Sequence, residues 1–215
     1  MKIGIVGLGL IGGSIGLKLQ SLNHTVFGVT NNKVNEKKAK KRNLANFISS
    51  DLNILKECSL IILALPIKDL IHPSKKLINA IPKEAILTDV GSVKVPIIKV
   101  WEKIHPLFIG SHPMAGTEQK GVDSGFESLL TNSKWIITPT SKTNSGAIKL
   151  LSELINSMQC ELCKATPKDH DEAVSLISHL PIFTASALIE TANRENKKSL
   201  LDLTKKIAAS GFADT

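Results

Sequence analysis

The stretch Lys2-Ile3-Gly4-Ile5-Val6-Gly7-Leu8-Gly9-Leu10-Ile11-Gly12-Gly13-Ser14 decides the fold. Lys2 to Val6 is a short β-prone run, the glycines follow at the spacing G-x-G-x-x-G, and a helical pattern continues through Leu17 and Leu19 toward Leu22. Strand, spaced glycines and helix, in that order, make a dinucleotide-binding turn. Gly7 permits the tight turn, Gly9 removes the side chain that would block a pyrophosphate, and Gly12 lets the helix approach the strand. Backbone N–H groups at the helix start then face the phosphates. The whole turn, including Leu8, Leu10 and Ile11, is therefore expected at the cofactor.

Working outward, a second strand at Thr25–Val29 completes a right-handed βαβ start. An NAD enzyme places an acid at the end of this strand, roughly 20 residues past the glycines, to bind the ribose hydroxyls. Here the chain reads Thr30-Asn31-Asn32-Lys33. Hydroxyl, amide and ammonium donors without a carboxylate favour NADP over NAD, while Asn31-Asn32 also suits a turn and helix cap.

The α/β alternation continues. A helix is expected around 35–42, a short strand near Phe47-Ile48, and a continuously apolar strand from Leu60 to Leu65, as in a parallel sheet covered on both faces. Leu65 and Pro66 would end this strand beside the cofactor. A helix is expected to start near Pro73 and run to Ile81. The strand 85–89 opens into Val90-Gly91-Ser92-Val93-Lys94, a helix follows to Lys103, and the strand 107–109 opens into the loop Gly110-Ser111-His112-Pro113-Met114-Ala115-Gly116-Thr117. Both loops leave carboxyl ends of strands, the ligand-binding edge of such sheets. An irregular region with Gly121 and Gly125 precedes the strand 135–138, the helix 145–158 and the strand 160–164.

At Thr166-Pro167-Lys168-Asp169 the rhythm changes, with Thr166 as N-cap and Pro167 at the first helical position. Only helical pattern follows, interrupted by Pro181 and by the polar stretch 193–198. The expected fold is thus α/β: a Rossmann-type, doubly wound, mostly parallel sheet over residues 1–165, then the start of an all-helical domain over residues 166–215. Apolar positions such as Leu188, Leu200, Leu203 and Ile207 cannot bury themselves in so few helices, so this part is expected to be incomplete or to need a partner.

Composition narrows the function. The formal charge is +8, yet Arg42 and Arg194 are the only arginines and the lysines of 37–41 lack interleaved aromatics, which describes a solvated face and no nucleic-acid partner. The charge does attract anionic small molecules. No uninterrupted apolar run reaches the roughly 18 residues a bilayer demands, so no membrane partner is expected. Cys58, Cys160 and Cys163 form an odd set that fits a reducing cytoplasm, and Cys160 with Cys163 reads as strand cysteines with no metal site.

Of six histidines, His24, His72 and His105 fall in turns or at helix ends, where a polar surface role is the plain reading, and His170 lies on the first turn of a helix. His112 differs because its loop lies at the ligand-binding edge. His179 differs because Pro181 would open the helix around it toward a cleft. A histidine near a nicotinamide can accept the proton of a substrate hydroxyl as hydride leaves the same carbon.

Five blocks, GLGLIGGS from Gly7, DVGSVK from Asp89, GSHPMAGTE from Gly110, DHD from Asp169 and SHLP from Ser178, resemble the prephenate and arogenate dehydrogenases of tyrosine biosynthesis across the whole chain. The arogenate branch of cyanobacteria and plants is most similar, and it is typically NADP-dependent. The resemblance implies that His112 is the catalytic histidine that hydrogen-bonds the ring hydroxyl and takes its proton. Ser92 would contact that hydroxyl, the nicotinamide or His112. It also implies substrate contacts from His179, Gly116 and Thr117, cofactor contacts from Gly91, Ser92 and Met114, and a homodimer through the helical domain. The family's glycine-phenylalanine-arginine-aspartate appears here as Gly211-Phe212-Ala213-Asp214, and the substrate-binding arginine is expected beyond Thr215. The implied reaction is NADP-dependent oxidative decarboxylation of arogenate. Prephenate dehydrogenase is the nearest alternative, and a non-catalytic NADP-binding protein is a further one. A β-hydroxyacid dehydrogenase would share the glycine turn but use a catalytic lysine, against which the His112 and His179 blocks argue.

Overall fold

In a computed structural model, residues 1–194 together with 200, 202, 203 and 206 are described. Most of the polar stretch 193–198, Ile207 and the Gly211-Phe212-Ala213-Asp214 segment lie outside the described residues. Two compact units emerge, one spanning Met1–His170 and a second beginning at Asp171.

The first unit is built on one eight-stranded sheet. Its strands are β1 (Lys2–Val6), β2 (Thr25–Val29), β3 (Phe47–Ser49), β4 (Leu60–Leu63), β5 (Ile86–Asp89), β6 (Phe108–Pro113), β7 (Lys134–Thr138) and β8 (Glu161–Lys164). They lie in the order β3-β2-β1-β4-β5-β6-β7-β8. The first six run parallel in the doubly wound arrangement, β7 runs antiparallel to β6, and β8 is parallel to β7. The order in which strands are added reverses between β1 and β4, so the crevice at their carboxyl ends is where such a sheet binds ligands.

Helices α1 (Leu10–Ser21), α2 (Lys33–Lys41), α3 (Ile67–Ile71), α4 (Lys75–Ala80), α5 (Val95–Ile104) and α6 (Ser145–Ser157) cover the sheet. The strand Leu60–Leu63 is buried at every residue, because apolar clusters lie on both of its faces: Leu60 and Ile62 face one, Ile61 and Leu63 the other. Trp135 anchors one cluster and Trp101 the other, both fully buried. Asn32 caps α2 by accepting from the Asn35 N–H, and Ser74 caps α4. The helix expected from Pro73 to Ile81 is α4, started by the Ser74 N-cap, and the short α3 before it, ended at His72 and Pro73, adds to the expected elements.

The irregular segment between β6 and β7 returns to the first helices. The Arg42 guanidinium donates to the carbonyls of Val122 and Gly125, both at 2.7 Å, and the Phe126 N–H donates to Ser14 Oγ. Gly121 and Val122 are thereby held as part of the wall of the cleft above β1 and β4.

The second unit's described part is helical. Its first helix, α7 (Pro167–Val174), starts within the first unit, where Thr166 Oγ1 caps it by accepting from the Asp169 N–H. Before Pro181 the helix widens into a π turn at Ser175–His179 and continues as α8 (Leu180–Asn193). Proline removes an N–H and its ring crowds the preceding turn, and the wider register accommodates both. The chain thus stays helical through Pro181 instead of being interrupted. Residues Pro167–Thr191 form one helix which, by length and composition alone, is long and apolar enough to cross a membrane. Counting uninterrupted apolar runs missed this because His179 and isolated polar residues divide them. Leu176, Ile177, Ile182 and Phe183 are all exposed on it.

Candidate active site

The glycine turn has the geometry a dinucleotide requires. Gly7 has φ +97°, and a Cβ there would lie 2.2 Å from the Ala64 carbonyl oxygen. At Gly12 a Cβ would lie 1.9 Å from the Gly7 carbonyl, so any side chain would push α1 off the turn. A Cβ on Gly9, by contrast, would meet nothing within 4 Å: that face is open space at the N-terminus of α1. The first-turn N–H groups and the absence of side chains make this a cradle for a pyrophosphate.

A cleft of about 840 Å3 extends from the turn. Of the residues expected at a cofactor or substrate, Gly7, Leu8, Gly9, Ile11, Gly12, Thr30, Asn31, Leu65, Pro66, Gly91, Ser92 and His112 line it. Leu10, Asn32, Lys33, Met114, Gly116 and Thr117 do not, and His179 belongs to the second unit. Asn35, Ser50 and Val122 also line the cleft, without having been singled out from the sequence.

The end of β2 differs in detail from expectation. Thr30 is buried and its hydroxyl donates to the Asn32 carbonyl at 3.2 Å, while the Asn32 side chain caps α2. Thr30 and Asn32 therefore brace the turn, leaving Asn31 and Asn35, joined by a 2.7 Å side-chain hydrogen bond, at the cleft. Lys33 pairs with Glu36, which also binds Lys40 and the Ser50 N–H. Lys40 and Lys33 together hold the Glu36 carboxyl down at about 2.

His112 is on β6, not in a loop. The strand leaves β5 after Ile109 and pairs with β7, which sets His112 opposite Ile136. An antiparallel partner two dozen residues away gives residues 110–113 a ladder that local pattern does not reveal. His112 Nδ1 lies 2.9 Å from Nε2 of His170, and His170 is 2% exposed. The helix that His170 opens brings it against the end of β6. The surface reading of His105 is overturned: it is buried, with Nε2 3.0 Å from the Pro82 carbonyl, and burial lowers its pKa.

Beneath the two candidate catalytic residues lies a polar cluster. Asp89 and Lys94 form an ion pair with both side chains fully buried. Burial raises the Asp89 carboxyl above the usual carboxylate range, against the opposing pull of Lys94. Cys58 and Cys160 are buried and Cys163 half-buried, and burial pushes the Cys58 thiol up to about 11, away from any thiolate role.

Sheet order, glycine turn and cleft define a nucleotide-binding domain of the Rossmann dehydrogenase class. Comparison with known proteins agrees. The model of the prephenate dehydrogenase nucleotide-binding domain matches residues 15–164, and that of the prephenate dehydrogenase dimerization domain matches residues 166–215. This chain belongs to the prephenate dehydrogenase family. It is 32% identical to prephenate dehydrogenase of Bacillus subtilis over 219 residues, covering 98% of this chain and 58% of that protein. Cyclohexadienyl dehydrogenase of Zymomonas mobilis is 30% identical over 217 residues, with 99% of this chain and 74% of that protein covered. The chain therefore spans between about half and three quarters of these relatives' lengths. Among solved structures, Synechocystis arogenate dehydrogenase matches at 37% identity and TM-score 0.82, covering 100% of this chain and 77% of that one. Prephenate dehydrogenase from A. aeolicus, in complex with hydroxyphenyl propionate and NAD+, matches at 28% identity and TM-score 0.90, covering 100% and 76%.

Proposed function

We propose that this protein oxidatively decarboxylates arogenate to tyrosine with NADP, acting as a homodimer. The observation that carries the reading is that Ser92 and His112, delivered by the ends of β5 and β6, line the same cleft as the open face of the glycine turn. NADP use is supported by the stretch Thr30 to Asn35, which contains no carboxylate. Arogenate is supported by the 37% identity to the Synechocystis arogenate dehydrogenase, against 28% to the A. aeolicus prephenate dehydrogenase. A homodimer is supported by the dimerization-domain match and by the exposed apolar side chains around Phe183.

The turn from Gly7 to Gly12 would hold the pyrophosphate, Asn31 and Asn35 the adenosine end, and Gly91 and Ser92 the nicotinamide end. NADP supplies the acceptor for the hydride that leaves the hydroxyl-bearing ring carbon. His112, oriented through Nδ1 by His170, takes the hydroxyl proton at Nε2 as that carbon becomes a carbonyl. Loss of the ring carboxylate as carbon dioxide leaves its electron pair in the ring, and the resulting phenolate recovers the proton from His112. Ser92 holds the hydroxyl in line. NADPH formation by the purified protein with arogenate, prephenate and neither tests the reading. Faster turnover of prephenate would replace the substrate, and cofactor binding without turnover of either would leave a binding protein.

A further inference from the structure

The Asp89–Lys94 pair is hard to account for as a source of stability. Both side chains are fully buried, and a buried ion pair commonly stabilises a fold no better than apolar residues of the same size, because desolvation offsets the attraction. Its hydrogen bonds point instead to the active site. One Asp89 oxygen, Oδ2, accepts from the Gly91 N–H at 2.8 Å as well as from Lys94. The other, Oδ1, accepts from the Ser111 N–H at 3.2 Å. Lys94 Nζ donates to the Ser111 carbonyl at 2.6 Å. The pair therefore holds both backbone groups of Ser111 and the N–H of Gly91. These are the residues immediately before His112 and Ser92.

Ser111 is held from its side chain too. Its hydroxyl donates to the Asp89 carbonyl at 2.6 Å and accepts from Trp135 Nε1 at 3.0 Å, within hydrogen-bond reach of Thr88 Oγ1. All five side chains, Thr88, Asp89, Lys94, Ser111 and Trp135, are buried. The cluster thus ties the end of β5, the start of α5, the end of β6 and β7 to one point.

We propose that Asp89 and Lys94 are positioning residues: a single buried charge pair that fixes the Ser92 loop and the His112 strand relative to each other. This rests on the reading of Ser92 and His112 as the catalytic pair. A carboxylate has two acceptor oxygens and can serve two strand ends at once, whereas a neutral isostere cannot. Asparagine in its place would present one acceptor and one donor, and the donor would face a backbone N–H. Lys94 balances the charge that makes the double acceptor possible, and it holds the one Ser111 group that a carboxylate cannot.

The test is the double variant Asp89→Asn/Lys94→Met, which removes both charges together and leaves neither buried alone. Its NADP Kd should stay within about threefold of wild type, while kcat falls on the order of 100-fold, the loss expected when reacting groups are displaced by about 1 Å. Unchanged kcat, or a fall in kcat matched by an equal loss of NADP affinity, overturns the proposal in favour of a purely structural pair. Should the double variant not fold, Lys94→Gln, which keeps a donor for the Ser111 carbonyl, is read by the same two measurements and the same criteria. His112→Asn is run beside them. If it turns over normally, the reading of the catalytic pair fails; if it is inactive while the double variant is fully active, only the positioning role fails.

Discussion

His112 Nδ1 and His170 Nε2 are 2.9 Å apart, and the two rings meet edge to face at 70° with centroids 5.2 Å apart. Two imidazoles at that distance share one hydrogen, so the tautomer of one is set by the other. With His170 buried at the start of α7, the ring of His112 is held at a fixed angle over the end of β6. Orientation of a catalytic imidazole through its second nitrogen is a recurrent device in enzymes that use histidine as a base.

Replacing His170 with Ala should therefore lower kcat by about 10- to 100-fold, by the scale seen when outer-shell partners of functional histidines are lost. NADP affinity should be unaffected, since His170 does not line the cleft. Steady-state kinetics and a binding titration on the same preparation check this, and wild-type kcat would remove His170 from the account.

The turn offers a paired test. Gly9→Ala should leave the melting temperature near wild type, since its Cβ meets only open space, yet weaken NADP binding at least tenfold by occupying the pyrophosphate's place. Gly12→Ala should lower both, with destabilisation of about 1–3 kcal/mol from overpacking against the Gly7 carbonyl. Equal melting temperatures for the two variants would contradict this division.

At the end of β2 the position to change is Asn31, because Thr30 and Asn32 are engaged within the turn. Asn31→Asp should shift preference from NADP toward NAD by tenfold or more, as a carboxylate repels a 2′-phosphate and binds ribose hydroxyls. The ratio of kcat/KM for the two cofactors is the readout, and an unchanged ratio would sink the assignment.

Glu36 gives the acid side of the stability profile. Its pKa falls from 4.5 to about 2 on folding, through Lys40, Lys33 and the Ser50 backbone. A depressed carboxylate contributes stability that is present above pH 4.5 and lost as pH falls toward 2. The difference in unfolding free energy between wild type and Glu36→Gln should accordingly shrink over that window and be flat above it, as measured by urea unfolding at several pH values.

Much of this was legible in the sequence because some residues answer directly to backbone geometry. Gly7 and Gly12 are where they are because no other side chain fits, and Thr166 with Pro167 announces a helix start. Pro181 announces a disturbance of the helix, but not that a π turn carries the helix through it. Pairings between distant segments were not legible. His112 reads as a loop residue until β7 gives its strand a partner, and His170 reads only as a residue of a helix's first turn until the fold carries it across 58 positions to His112. Lys94 looked like any other lysine, since nothing local distinguishes a buried cation from a solvated one. The long exposed helix of the second unit was hidden by the polar residues that punctuate it.

The central claim is that His112 takes the substrate's hydroxyl proton. Turnover of arogenate by His112→Asn, measured by NADPH formation alongside NADP binding, tests it most directly. The account predicts loss of kcat by a factor of at least about 100, the upper range for one general base being nearer 10,000, with NADP affinity within threefold of wild type. Wild-type turnover, or loss of NADP binding in step with activity, would contradict it.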